Sequence, residues 1–338
     1  MDTGLVLGGG GGKGIYQVGM LKSLAEAGVL DDVVAMAGTS IGSVNAALMA
    51  EGMYDKAYLA KSGNKPMIAG ITQMYEVWQK IDMDVFFDLD MASIKAGDRH
   101  FSRKETEKLI KEYVDFKNVQ LPVFCTVARC PEGMEVSDKI SEYEMQLIDE
   151  MKPDVTFQDF TAEYINIQGT SDKYIGDVIL ATTALPVIYK PVDINGTFYI
   201  DGGVKDNVPI KPLYDMGIRR FIVIELSSES VVNPADFPDA EIISILPSHD
   251  LGDLFDGTMN FTKKDKSIKY ELGVRDGKRY VEIKFHGNKD AESVESYLAK
   301  IDYEAAKKQV QTEMKYDKIS SEVNSHLDYF NKLEEKYK

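Results

Sequence analysis

The sequence predicts an α/β fold: a three-layer sandwich whose central, mostly parallel sheet is flanked by helices, followed by a helical C-terminal extension. Two observations carry this. Short β-type runs alternate with helical patterns through the first two-thirds of the 338 residues. Such alternation requires crossover connections, which place helices on both faces of a parallel or mixed sheet. In addition, two strand ends pass directly into glycine-bearing turns that open helices, at Gly8–Gly14 and Gly38–Gly42.

In chain order, Gly4–Leu7 reads as a buried strand ending in five glycines. Ile15, Val18, Leu21 and Leu24 then repeat at three-residue steps, a helix face, and Gly28 is placed to end that helix. Val33–Ala37 reads as a second strand, and a helix beginning near Ser40 carries Ile41, Val44, Ala47 and Leu48 on one face. Leu121–Val127, Phe198–Ile200 and Arg220–Leu226 supply three more strands. Residues 50–118 form a helical, cap-like segment in which Met74, Val77, Trp78 and Ile81 recur at helical spacing, the mark of a core stripe or of a lid over an apolar site. The division expected is a main domain over 1–280 and a mainly helical extension over 281–338, with Val294, Leu298 and Ile301 on one Lys/Glu-rich helix and Leu327, Phe330 and Leu333 on another.

Composition narrows the function. Hydrophobic residues at 44% and charged residues at 28% are those of a globular protein. The 39 basic against 55 acidic residues leave a net charge of −16, which repels phosphate backbones and argues against nucleic acid as a partner. The same field gives no attraction to anionic membranes. Cys125 and Cys130 match no common zinc spacing and read as buried, reduced thiols. No apolar run reaches the length of a transmembrane helix. The start MDTGLVLGGGG lacks the pattern of a signal peptide. A cytoplasmic location is expected, with signal-less export left open.

Three motifs carry the chemistry. Gly8–Gly14 satisfies G-x-G-x-x-G at Gly9, Gly11 and Gly14. A dinucleotide site would require an acidic residue after the second strand, whereas Asp31 and Asp32 precede it. The other reading is an anion hole, in which bare glycine N–H groups converge beside a helix N-terminus. Gly38-Thr39-Ser40-Ile41-Gly42 is a G-x-S-x-G between strand and helix, the context of a nucleophile elbow. Asp201-Gly202-Gly203 follows a strand that could lie next to that elbow, and a serine nucleophile needs a base.

LVLGGGGGKGIYQVGMLKSL, GTSIGSVNAAL, ATTALPVIYKPV and YIDGGVKDNVPI, in that order, resemble the patatin-like phospholipases, and IKYELGVRDG near residue 277 extends the resemblance more faintly. The resemblance implies a lipid acyl hydrolase working through an acyl-serine intermediate. By it, Ser40 is the nucleophile, Asp201 the base of a Ser-Asp dyad, and Gly9, Gly10 and Gly11 the oxyanion hole. Gly8, Gly12, Lys13, Gly14, Gly38, Gly42, Gly202 and Gly203 support these motifs, with Lys13 at the family's basic position. Three departures stand out: Gly12 replaces a small side chain, Ser43 an alanine, and Thr182 a serine. No cofactor and no metal are implied, and calcium-independent turnover is expected. The partner is a lipid or acyl-ester substrate, met in solution or at a membrane surface. Two other readings stay open here, a non-catalytic lipid-binding protein and a nucleotide-binding protein. Of the four histidines, His100, His249, His286 and His326, none sits in a motif.

Overall fold

The apolar run near the N-terminus forms β1 (Thr3–Leu7), buried on both faces, as a central parallel strand should be. β2 (Val33–Thr39) and β7 (Arg220–Ile224) flank it in parallel register. The computed structural model describes residues 2–83, 102–113, 116–131, 159–186, 188–227 and 232–285. β3 (Val123–Arg129) lies parallel to β2, and β8 (Glu241–Ile245) parallel to β7. β4 (Thr161–Asn166) and β6 (Thr197–Asp201) run antiparallel to β3, and β5 (Val192–Ile194) antiparallel to β6. All eight strands belong to one sheet.

Strand alternation sorts the apolar residues onto two faces. Leu5, Leu7, Met36, Ile222 and Ile224 enter the larger core. That core is covered by α1 (Ile15–Glu26), α2 (Ile41–Gly52), α4 (Pro66–Trp78) and α8 (Lys263–Phe285). Val6, Ala35, Ala37, Phe221 and Val223 point the other way, under Leu213 of the short α7 (Lys211–Asp215) and the neighbouring Ile210 and Ile218. The remaining described helices are α3 (Lys56–Lys61), α5 (Lys104–Tyr113) and α6 (Asp172–Thr182).

The sequence expectations missed β4, β5 and β8. β4 alternates too weakly to announce itself, with glutamate and asparagine among its six residues. β5 had a clear signal: Asn195-Gly196 joins it to β6 with φ of 55° and 85°, the two-residue turn that an Asn-Gly pair favours. The Met74, Val77, Trp78 and Ile81 stripe is core: all four are at most 4% exposed, within the cluster shared with α1 and α2. α4 is therefore part of a layer and not a cover above it. Residues 84–101 of the cap-like segment and 286–338 of the extension lie outside the described residues. α8 itself runs across residue 280.

α8 crosses α1 with little room. A Cβ on Gly19 would lie 2.2 Å from the Tyr270 carbonyl oxygen, and one on Gly273 would lie 2.1 Å from that of Tyr16. Glycine at both positions lets the backbones touch, and the contact is pinned by Tyr16 Oη donating to Asp276 (3.1 Å) and Ser23 Oγ donating to the Val274 carbonyl (2.9 Å).

β3 decides where the site forms. Along a strand, backbone groups of every second residue share an edge. Met36 N–H donates to Pro122 O, and Cys130 N–H donates to Phe198 O, so β2 and β6 occupy the same edge of β3, while β4 takes the other from Phe124 to Arg129. β2 ends with Thr39 opposite Thr126, and β6, arriving from the other direction, ends with Asp201 opposite Val127. The two strands meet end to end.

The glycine crossing is testable. Gly273→Ala is expected to cost about 1–3 kcal/mol through overpacking. Gly176→Ala on α6, whose added methyl would find its nearest neighbour 4.0 Å away, is expected to gain up to about 1 kcal/mol. Urea unfolding of both variants measures the contrast.

Candidate active site

At the end of β2 the chain reverses direction through Ser40, whose φ of 54° and ψ of −125° are rare for a side-chain-bearing residue. The surroundings hold it there. Ser40 N–H donates to Thr182 Oγ1 (3.0 Å), Ser40 O accepts from Ser43 N–H (2.9 Å), and Thr182 in turn donates to Thr126 O (2.6 Å). The turn also needs Gly42, where a Cβ would lie 2.1 Å from the Leu7 carbonyl oxygen of β1. The hydroxyl so presented faces the Asp201 carboxyl, and both line one pocket.

Asp201 is 4% exposed. Its Oδ1 accepts from Gly203 N–H (2.8 Å), the cap of the turn that follows β6. Burial pushes its carboxyl from 3.8 up to about 6, against the opposing pull of the Ser40 hydroxyl, Gly203 N–H and the Arg103 charge. A carboxylate in that range is a better proton acceptor near neutrality than a free aspartate.

The glycine loop lies alongside. Gly10 and Gly11 line the same pocket as Ser40 and Asp201, and their N–H groups bond to nothing within the described residues. Gly9 differs from expectation. Its N–H donates to Asn207 O (3.2 Å), so it is spent on holding the loop. A buried polar chain fixes both loop ends from behind: Trp78 Nε1 donates to Asn45 Oδ1 (2.8 Å), Asn45 Nδ2 to Gln17 Oε1 (2.8 Å) and to Gly14 O (3.0 Å), and Gln17 Nε2 to Gly8 O (2.8 Å). From the front, residues 252–261 lie across the loop. A Cβ on Gly11 would sit 2.2 Å from Thr258 O, and one on Gly12 would sit 2.2 Å from Asn260 O.

The pocket has a volume of about 920 Å³. Leu185, Ile188, Tyr189, Leu226, Leu246 and Phe261 give it apolar walls beside the Ser40–Asp201 pair. Such a cleft suits a hydrocarbon chain with a polar reacting group at one end. A serine hydroxyl facing a buried carboxyl, next to unpaired N–H groups, has the parts for acyl transfer.

Comparison with known proteins adds to this geometry. The family model described as Patatin-like phospholipase matches residues 5–214. The chain belongs to the patatin-like phospholipase family. It is 28% identical over 239 residues to lysophospholipase NTE1 of Cryptococcus neoformans, an alignment covering 71% of this chain and 12% of that protein. It is 24% identical over 241 residues to neuropathy target esterase sws of Drosophila melanogaster, covering 70% and 14%. The chain thus spans about an eighth of the length of these relatives. Among solved structures it is similar to VipD from Legionella pneumophila, at 14% identity and a TM-score of 0.43 over 83% of this chain and 67% of that one. The type III effector protein ExoU matches at 16% identity and a TM-score of 0.34, covering 83% and 53%.

In this patatin-like chain the three departures noted in the sequence have local causes. Ser43 and Thr182 lie 3.0 Å apart by their hydroxyl oxygens, and Ser43 Oγ donates to Gly38 O (2.7 Å). The two changes are thus partners. Gly12 is glycine because the 252–261 segment comes too close for a side chain. Lys13 is 9% exposed and lines the pocket. Asp31 and Asp32 precede β2, at the end remote from the glycine loop. Cys125 and Cys130 are free and buried, and burial pushes both thiols up to about 12. His249 lines the pocket with Nδ1 2.9 Å from Arg275 Nη2 and 3.0 Å from Ser248 Oγ. His100, His286 and His326 lie outside the described residues. Among the described residues no group of His, Cys, Asp or Glu is gathered to hold a metal ion, and no helix is long and apolar enough to cross a membrane. Sequence reasoning missed Gln17, Asn45, Asn207 and Arg103. Gln17, Asn45 and Asn207 lie within the segments that carry the family resemblance, though no role was assigned to them there, and Arg103 lies outside every such segment.

The raised Asp201 value has a stability consequence. The folded value of about 6 exceeds the free 3.8, so the protonated form favours folding. That contribution is full below pH about 4 and is lost as pH rises through about 6. Asp201→Asn removes the burial cost. At pH 8 it is expected to be more stable than wild type by up to about 3 kcal/mol and to melt at a correspondingly higher temperature, with the difference vanishing near pH 4 in thermal melts.

Proposed function

We propose that the protein is a carboxylic ester hydrolase acting on lipid acyl groups through a Ser40–Asp201 dyad. The observation that carries this reading is the strained Ser40 whose hydroxyl meets a buried carboxylate inside an apolar pocket. Family membership and the name of the NTE1 relative support a lipid ester, with lysophospholipid the substrate class to try first.

Ser40 Oγ attacks the ester carbonyl carbon as its proton passes to Asp201. The carbonyl oxygen becomes an oxyanion facing Gly10 and Gly11 N–H, beside the positive end of α1. Collapse expels the alcohol, which takes the proton from Asp201 and leaves acyl-Ser40. Asp201 then accepts a proton from water, the hydroxide adds to the acyl carbon, and the carboxylic acid departs as the proton returns to Ser40. Each donor of an oxyanion hole contributes roughly 10²–10³ in rate, and general base catalysis about 10²–10⁴, so the pair of glycines can match the dyad in weight.

Hydrolysis of p-nitrophenyl acyl esters of graded chain length tests the reading. Ser40→Ala and Asp201→Asn are each expected to lose at least about 10³-fold in kcat/KM. His249→Ala is expected to stay within about threefold, since its ring bonds to Ser248 and Arg275 and no role is assigned to it. If His249→Ala is inactive, the base is a histidine and the dyad is wrong. If folded wild type turns over no ester and leaves Ser40 unlabelled by a fluorophosphonate, the lipid-binding reading replaces this one. Asp201 must be ionised to accept a proton, so kcat/KM is expected to fall below pH about 6.

A further inference from the structure

Arg103 stands just before α5, outside every motif, and its guanidinium is turned into the protein. Nη1 donates to Thr183 O (3.0 Å), and Nη2 to Leu180 O and to Thr183 Oγ1 (2.8 Å). Its Cζ lies 4.0 Å from the centre of the Tyr189 ring, on the pocket wall. Nε is sealed from solvent and has no partner. These bonds go to carbonyl and hydroxyl oxygens and none to a carboxylate. A fixed cation at the C-terminus of α6 satisfies carbonyls that the helix leaves open, but that task alone does not demand an arginine with a buried, unpaired nitrogen.

The segment it grips explains more. Within Leu180–Ala184, Thr182 Oγ1 accepts the N–H of Ser40 (3.0 Å), and Ala184 O accepts the N–H of Asp201 (2.9 Å). Five residues therefore hold the backbones of both members of the dyad, and Arg103 ties that bracket at its first and fourth residues. Its positive charge also acts on the Asp201 carboxylate.

We propose that Arg103 is the positioning residue of this site: it locks the Leu180–Ala184 bracket that holds the backbones of Ser40 and Asp201, and it fixes a buried cation on that bracket beside Tyr189. This rests on the dyad reading above. The other titratable groups acting on Arg103 or lining the pocket are Tyr189, Glu107 on α5, Lys13, His249, Asp250 and Asp253. Fork and charge separate chemically. Lysine keeps the charge and loses the fork, whereas methionine keeps bulk and loses both.

The test uses the full chain as wild type, Arg103→Lys and Arg103→Met, with p-nitrophenyl butyrate as substrate. Arg103→Lys is expected to keep the acid limb of kcat/KM in place while kcat drops about tenfold, as misplacement costs. Arg103→Met is expected to shift that limb upward, since the buried carboxyl then lacks the opposing cation. A second readout needs no turnover. The pH at which the melting temperatures of a parent and its Asp201→Asn derivative diverge reports Asp201 ionisation, and in the Arg103→Met background it should rise by the same amount. An unmoved acid limb and divergence point in folded Arg103→Met overturn the proposal. Should Arg103→Met not fold, wild-type kcat in Arg103→Lys overturns it instead. Loss of the dyad reading shows separately, as Ser40→Ala that retains activity.

Discussion

The site depends on two strands sharing one edge of a third. β2 and β6 approach each other along β3 from opposite directions and stop one residue apart in register, at Thr126 and Val127. A parallel strand delivers Ser40 and an antiparallel strand delivers Asp201, to one point. β4 covers the far edge of β3 throughout, so β3 is held on both sides while its near edge carries the junction. Because side chains alternate along a strand, a slip of one residue in the β3–β6 register would turn Asp201 to the opposite face. The sheet thus supplies the precision that a dyad requires, and rigid elements do this better than loops.

The same core that stabilises the fold also shapes the glycine loop. Trp78, Asn45 and Gln17 form a buried relay whose last members reach the carbonyls of Gly8 and Gly14. Buried amides of this kind are costly unless paired. Their pairing here turns both loop ends inward and leaves the intervening N–H groups of Gly10 and Gly11 for the pocket. The loop is held from behind by side chains and from in front by the backbone of residues 252–261. Lys269, donating to Gly257 O (3.3 Å) and paired with Asp265 (2.6 Å), secures that front segment to α8.

Much of this was legible in the chain. β1, β2, β3, β6 and β7 announce themselves as apolar runs bounded by turn residues, and α1 and α2 by their spacing. Ser40 stood out as the serine of a G-x-S-x-G between strand and helix, and Asp201 as the carboxylate of Asp201-Gly202-Gly203 in combination with it. What escaped had physical reasons. β4 is half-exposed and polar, and β8 carries an exposed glutamate and serine among its five residues. Gly9 could not be told from Gly10 and Gly11, since the difference is an acceptor nearly two hundred residues away, on Asn207. Arg103 was invisible because nothing in its neighbourhood of sequence hints that it reaches the end of α6. Pairings across such separations are made by topology, and a local pattern does not record them.

The placement of β1 has a consequence for how the chain acquires its structure. β1 precedes the other described strands in chain order, yet it lies mid-sheet, and its second neighbour β7 follows 217 residues later, where Arg220 meets Thr3. The seam between α1 and α8 closes later still, with Tyr16 and Asp276 separated by 260 residues. A chain emerging from the ribosome therefore carries an open edge on β1 until β7 has been made. Long-range parallel pairing is slow, and exposed strand edges invite intermolecular contacts. Yield on recombinant expression should accordingly be sensitive to synthesis rate and to chaperone supply, more than the stability of the finished fold would suggest.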